Sequence, residues 1–401
     1  MSESDLKTRW SVVAAAIGAG IVGALHIGIV PAAIPAFRAE LGVDLVTAGW
    51  VVSMFSATTV ATGIVIGVVA DRIGYRRLLL GGLVALIAGA LAGAAARSGT
   101  QLLLFRLIEG VGFITTLVSA PSIIAQTAVP SDRRFALGIW GMYMPSGLAI
   151  GMAVAPAILS AWGWRAVWIA AAVVSALCLV VVAAVLPARE AAHSGGSWLD
   201  DVRKTLARPG VWLLAAFFMF YAAQWMALMV WLPTFLVEER GLSLSTAAWM
   251  TVAVVAVNAP GNLLGAALLD RNVPRWALLA GSSVIVLACA AGIFPSGVLS
   301  DGVRYALCLV FSFITGVCPA AILSGAAVFR PSPRQTGATN GFLIQGSNLG
   351  QFVGPPAMAA LVSFVGGWSA GLYVFLLSGA AGISLAWLVK RAERRLSITS
   401  S

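Results

Sequence analysis

The stretch GVVADRIGYRR, residues 67–77, gathers one carboxylate and four guanidinium or phenol groups between flanking apolar runs. It does so in a chain of 401 residues of which only 10% are charged and 60% are hydrophobic. Soluble domains are roughly half apolar and about a quarter charged, so lipid is the solvent for most of this chain. The preceding sequence agrees. From Trp10 to Phe37 there is no Asp, Glu, Lys or Arg, a run longer than the about 20 residues that a membrane-spanning helix needs. A cleavable signal sequence has an apolar core of only ~7–15 residues, so this run is expected to stay as the first helix.

Working outward, twelve apolar segments follow one another from about residue 10 to about residue 389. Their connections are short except for Pro187 to Gly210. That loop holds a flexible HSGGS and then SWLDDVRKTLARP, in which Trp198, Leu199, Val202 and Leu206 share one helical face. It reads as a short amphipathic helix on the membrane surface. The expectation is an all-α integral membrane protein of twelve transmembrane helices in two six-helix bundles. Residues 1–187 form the first bundle, 188–210 a cytoplasmic linker and 211–401 the second.

The net charge is +10, but the basic residues sit in short clusters between apolar runs, which is a topology signal rather than a nucleic-acid surface. With the N-terminus inside, 19 of the 25 Lys and Arg fall on inner segments and five on outer ones, and Arg106 lies within a helix. Both termini are therefore expected in the cytoplasm, with the chain in a plasma or bacterial inner membrane. The basic tail KRAERRL at 390–396 reads as a topology anchor that touches anionic lipid. Cys178, Cys289, Cys308 and Cys318 all lie in apolar segments and read as small buried hydrophobes. The loop AALLDRNVPRW, residues 266–276, places Asp270, Arg271 and Arg275 where the first half has Asp71, Arg72 and Arg76. Two parallel six-helix repeats point to a transporter with its substrate site between the halves.

The stretch at 67–77 resembles the loop 2–3 signature of the major facilitator superfamily, G-x-x-x-D-R-x-G-R-[KR], with Tyr75 where the family usually has Arg. The residue chemistry suits it: Gly67 permits close helix packing, Asp71 ends a helix at the membrane face, and Gly74 permits a tight turn. The resemblance implies a conformational latch on the cytoplasmic side, made by Gly67, Asp71, Arg72, Gly74, Arg76 and Arg77. RLIEGVG, residues 106–112, is similar to the family's R-x-x-x-G-x-G pattern in the fourth helix. GIWGMYMPSGLAIGMAVAP, residues 138–156, resembles its glycine-rich fifth helix, where Gly138, Gly141, Gly147 and Gly151 are expected to pack on a helix of the other half. The signature of proton-coupled drug exporters ends in Gly-Pro. Here Ala155 precedes Pro156, which weakens the exporter reading. Gly163 to Arg165 also fits the family at the start of the sixth helix.

Arg106 and Glu109 are spaced i, i+3, so they share a helix face and can pair. Charges within the membrane are costly and face a cavity or a partner. Either a coupling or substrate role or a structural ion pair satisfies that rule. His26 adds a residue type that titrates near neutral pH. From Val211 to Val389 every acidic or basic residue is expected in a loop. Arg106, Glu109 and His26 are therefore the candidates for proton coupling. Candidate lining of a substrate cavity is Arg106, Tyr143, Tyr221, Gln224, Trp225, Asn258, Asn262, Asn340, Gln345, Asn348 and Gln351. The amides among these could instead hydrogen-bond between helices.

GAGIVG at 18–23 matches a dinucleotide pattern but has no preceding strand, so the match is chance. No P-loop lysine, H-E-x-x-H or G-x-S-x-G occurs, which argues against an ATP-driven pump and an enzyme. No metal site and no cofactor are expected. The functional expectation is a monomeric secondary transporter driven by protons, with membrane lipid around it. A small organic anion or amphiphilic metabolite is the expected substrate, and no nucleic acid is a partner. A proton-antiport exporter of drugs or siderophore-like compounds is the alternative, and a non-transporting sensor or scaffold a third.

Overall fold

The computed structural model describes residues 7–187, 203–295, 299–331 and 336–399. Every regular element among them is helical: α1 (Trp10–Leu41), α2 (Leu45–Ile73), α3 (Tyr75–Ala94), α4 (Gly99–Thr127), α5 (Pro130–Trp140), α6 (Tyr143–Val185), α7 (Pro209–Arg240), α8 (Leu244–Ala256), α9 (Asn258–Asp270), α10 (Arg275–Ile293), α11 (Asp301–Phe329), α12 (Thr336–Val365) and α13 (Gly371–Thr399), with a short 3₁₀ turn at Trp368–Ala370. Gly163 has a left-handed φ of 77° and breaks α6 in two. Taking α5 with the first part of α6 as one span, and α8 with α9 as another, the described helices make twelve membrane crossings. Most are long and apolar enough to span a bilayer.

Local sequence sets the boundaries. Gly42, in the left-handed region at φ 65°, ends α1. Asp44 then caps α2, its carboxylate accepting the Thr47 backbone N–H at 2.7 Å. These hydrogen bonds hold the Asp44 carboxyl below its ordinary range. Ser98 caps α4 by accepting from the Gln101 N–H, while Gln101 Oε1 accepts from the Arg97 N–H. That is close to the reciprocal arrangement of a capping box. Of the amphipathic stretch in the long linker, residues 203–206 are helical. Residues 188–202 lie outside the described residues.

The chain forms two compact units. One is drawn from Met1–Ser194 and Leu232–Val252, the other from Gly195–Trp231 and Ala253–Ser401. In the first, α6 is pressed against α1. A Cβ added at Gly151 would stand 2.8 Å from Leu25 O and 2.9 Å from Ile29 N. Gly147 faces Ile21, Ala24 and Leu25 in the same way. The sequence suggested a helix of the other half as the partner for these glycines, and this needs correction: the partner is α1 of the same unit. Spacing reports a close approach but not which helix makes it. Within GAGIVG, Gly20 lies against Trp140 and Gly23 against Phe113. The pattern therefore serves helix packing inside α1.

Gly74, at φ 89°, separates α2 from α3. Arg76, in the first turn of α3, donates to Leu186 O at 3.1 Å and Ala183 O at 3.0 Å, closing the C-terminal end of α6. The side chains of Asp71 and Arg72 lie outside the described residues. In the second unit Arg275, in the first turn of α10, donates to Ala321 O at 2.7 Å and pairs with Glu393 near the end of α13. Thus the two arginines that the repeat aligns tie the third helix of each bundle to the end of its last. Gly346, Gly350 and Gly354 bring α12 onto the carbonyls of Ala215, Met219 and Ala223 on α7. Arg304, expected in a loop, is instead buried in the first turn of α11. It donates to Ile293 O and Phe294 O at the end of α10.

Candidate functional site

The fourth helix explains how a lipid-soluble helix can carry charge. Leu104, Ile108 and Val111 form its exposed stripe. Leu102, Arg106, Glu109 and Phe113 occupy the opposite, buried face. Both faces are largely apolar, because lipid and protein core are equally so, and the charged groups sit together at one point of the inner face, with the hydroxyls of Thr115, Thr116 and Ser119 further along it.

At that point Arg106, Glu109 and His26 are all fully buried. Arg106 Nη1 donates to Glu109 Oε2 at 2.7 Å. His26 Nδ1 lies 2.7 Å from the same oxygen. One carboxylate oxygen thus receives two partners from different helices. His26 Nε2 lies 2.8 Å from Ser175 Oγ on α6. Arg106 is fixed further by its Nε to Val51 O at 3.2 Å and its Nη1 to His26 O at 3.0 Å. Its guanidinium sits over the Phe55 ring at 4.5 Å. Pro31 removes the N–H that would serve Ile27 O, the next carbonyl along α1, and loosens the helix ladder there.

Helix α3 makes room for the carboxylate. A Cβ at Gly89 would fall 2.6 Å from Glu109 Cγ, and one at Gly93 would fall 2.7 Å from Trp168 Cδ1. Arg106 Nη2 and Glu109 Oε1 are buried without a hydrogen-bond partner among the described residues. The site therefore holds spare hydrogen-bonding capacity in a low-dielectric interior. A buried pair of this kind is weak evidence for stability alone, since desolvation can exceed the attraction.

Proton bookkeeping follows from geometry. With neutral His26, Nδ1–H donates to Glu109 and Nε2 accepts the Ser175 hydroxyl. A proton added at Nε2 makes it a donor, and Ser175 becomes the acceptor by rotating its O–H. Neither state requires a heavy atom to move. The three residues singled out in the sequence are brought together here. Ser175 was missed, although it is the one hydroxyl in the apolar run from Ala170 to Val185.

The other candidates lie elsewhere. Tyr143 stacks on Trp140 with ring centroids 4.3 Å apart. In the second unit Trp225 Nε1 donates to Ser312 Oγ at 3.4 Å, and Asn258 Nδ2 to Ser312 O at 2.8 Å. Asn262 Nδ2 reaches Asn258 Oδ1 at 3.0 Å. Tyr221 and Gln224 border a cavity of about 10 Å³ with Ser282, Ser283, Thr315 and Ser378, room for one water. Of these amides, Asn258 hydrogen-bonds to the neighbouring α11, while Asn262 bonds to Asn258 within α9. On α12, Asn348 is buried and Asn340, Gln345 and Gln351 are half-buried. The cysteines at 289, 308 and 318 are buried and Cys178 is half-buried.

An all-helical membrane protein with one buried Arg–Glu–His cluster is the class that fold and site define. The family model of the Major Facilitator Superfamily matches residues 15–333, and the chain belongs to that family. It is 24% identical to the "probable sulfoacetate transporter" of Cupriavidus necator, over 87% of this chain and 85% of that protein. It is 28% identical to an "MFS-type efflux pump" of Mycolicibacterium smegmatis, over 83% and 81%. Among solved structures, a bacterial homolog of the human lysosomal transporter Spinster shares the fold. The TM-score is 0.76 at 21% identity, covering 98% of this chain and 97% of that one.

Proposed function

We propose that the protein is a proton-coupled secondary active transporter that moves a small organic anion or amphiphilic metabolite by alternating access. The observation that carries this is the sharing of Glu109 Oε2 between Arg106 and His26, each fully buried. The cluster is neutral with neutral His26 and carries +1 when His26 is protonated. An uncompensated charge inside the membrane is costly, so protonation and the arrival of an anion favour one another. When the anion draws Arg106 away, Glu109 loses its cation and becomes a second proton acceptor. Arg106 is fully buried in this structure, so anion contact requires the packing around it to open.

The bundles are 1–187 and 211–401, joined by 188–210, and rock about a site lined by Tyr143 and the amides of α7, α9 and α12. The loop Gly67–Arg77 acts as the cytoplasmic latch. Both termini face the cytoplasm, the membrane is the bacterial inner membrane, and the working unit is a monomer. Relatives that carry organic anions support the substrate class, and the Ala155–Pro156 departure weighs against drug export.

The test is proton flux into pyranine-loaded proteoliposomes on addition of sulfonates, carboxylates or cationic drugs. Wild type should acidify the lumen with one anionic class, and Glu109→Gln should abolish that flux while still binding the anion. Flux of equal size and pH dependence in Glu109→Gln would overturn the coupling role. Alkalinisation of the lumen driven only by cationic drugs would support the proton-antiport exporter instead.

A further inference from the structure

A second charged feature lies in the second unit, where α7 begins and α11 and α13 end. A cavity of about 490 Å³ opens there. Four arginines line it, Arg208, Arg330, Arg391 and Arg395, and among the described residues no acidic side chain does. Glu393, the acid nearest in sequence, is engaged by Arg275. Beneath the guanidinium groups the wall is apolar, with Leu213 and Phe329 on it. Gly210 allows the first turn of α7 to press on the Phe329 ring, and that helix start adds its own positive end to the cavity. Arg391 lies over the Trp387 ring at 3.4 Å, which holds one guanidinium in place.

Cationic groups over an apolar wall, at the ends of membrane-spanning helices, match a ligand with a phosphate head and a hydrocarbon body. We propose that this cavity binds the headgroup of an anionic phospholipid. Basic pockets between transmembrane helices take such headgroups, and arginine grips phosphate oxygens in bidentate fashion. A soluble phosphate shares the head chemistry but leaves the apolar wall unused. None of these residues belongs to the Arg106–Glu109–His26 cluster, so the site stands or falls apart from the transport reading.

The full-length protein in nanodiscs of equal phosphatidylglycerol and phosphatidylcholine would be released into native mass spectrometry and its retained lipids counted. Wild type should keep one phosphatidylglycerol. Arg208→Gln should weaken that retention about fivefold, and Arg391→Gln with Arg395→Gln about 25-fold, from about fivefold per basic residue near an anionic headgroup. Arg9→Gln, at an exposed position of the other unit, should behave as wild type. Size-exclusion profiles check that each variant is folded, and the single Arg208→Gln variant keeps the test open if the double variant is not. Equal retention by wild type and both cavity variants would overturn the proposal, as would wild type retaining both lipids alike. A parallel titration with inorganic phosphate separates the sources. Millimolar phosphate that binds the cavity while phosphatidylglycerol is not retained would assign the site to a soluble anion and refute the lipid.

Discussion

Replacing Glu109 by Gln removes the one carboxylate that faces Arg106 and His26 at 2.7 Å each. The side chain keeps its shape, so packing against Gly89 is preserved, but the guanidinium is left as a buried cation without a counter-charge. Breaking a buried pair in this way costs about 3–5 kcal/mol. The amide also offers a single carbonyl oxygen to two donors, and its NH₂ group faces the cluster with no acceptor. Adding Arg106→Gln should recover most of that loss, because a neutral pair has no charge to desolvate and removal of both ions is often near neutral. Stability would be read by SDS titration in mixed micelles, followed by tryptophan fluorescence. The double-mutant cycle should give a coupling at least as large as either single loss, about 3–5 kcal/mol or more. Single-variant losses below about 1 kcal/mol, or losses that simply add, would refute the argument that these ions compensate one another.

Other outcomes follow from the packing. Ser175→Ala leaves His26 Nε2 without its partner and should shift the pH midpoint of proton flux while leaving stability within about 1–2 kcal/mol, the range for one neutral hydrogen bond. Gly350→Leu drives a side chain into Met219 O and should cost several kcal/mol or abolish folding, read as loss of the monodisperse peak. Asp44→Ala removes the cap of α2 and should cost about 1 kcal/mol at pH 7. Because the folded carboxyl titrates lower than in the unfolded chain, the cap's contribution is full above the ordinary carboxylate value. It fades as pH falls through the lowered one, so the gap between wild type and Asp44→Ala should close in acid. Arg304→Gln should destabilise by about 2 kcal/mol through the freed Ile293 and Phe294 carbonyls, measured by the same SDS titration.

Much of this architecture was legible because lipid enforces it. Apolar run lengths and Lys/Arg clusters placed the helices, and the rarity of charge in the membrane pointed straight at Arg106, Glu109 and His26. What one-dimensional spacing could not supply was long-range choice of partner. Arg106 and Glu109 are neighbours on one helix and could be paired on paper. That His26 meets the same oxygen depends on α1 crossing α4 at Gly23 and His26. Gly147 and Gly151 advertised close contact but not that α1 receives them. Ser175 gave only a faint signal, since hydroxyls in membrane helices commonly bond their own backbone. Arg304 was misplaced because a charge beside a helix start looks like a loop residue until the neighbouring helix end is known to need a donor.

The shared oxygen of Glu109 has one more consequence, in the currency of membrane voltage. A cluster of one Arg, one Glu and one His changes by a single unit when it takes a proton. A monoanion carried with that proton makes the loaded step electrically silent, and only the concentration ratios of the two partners can then drive it. A neutral cargo carried on the same proton would feel about 2.3 kcal/mol for every 100 mV. In the proposed proton-coupled cycle, the chemistry of the cargo thus decides which half of the proton-motive force drives transport.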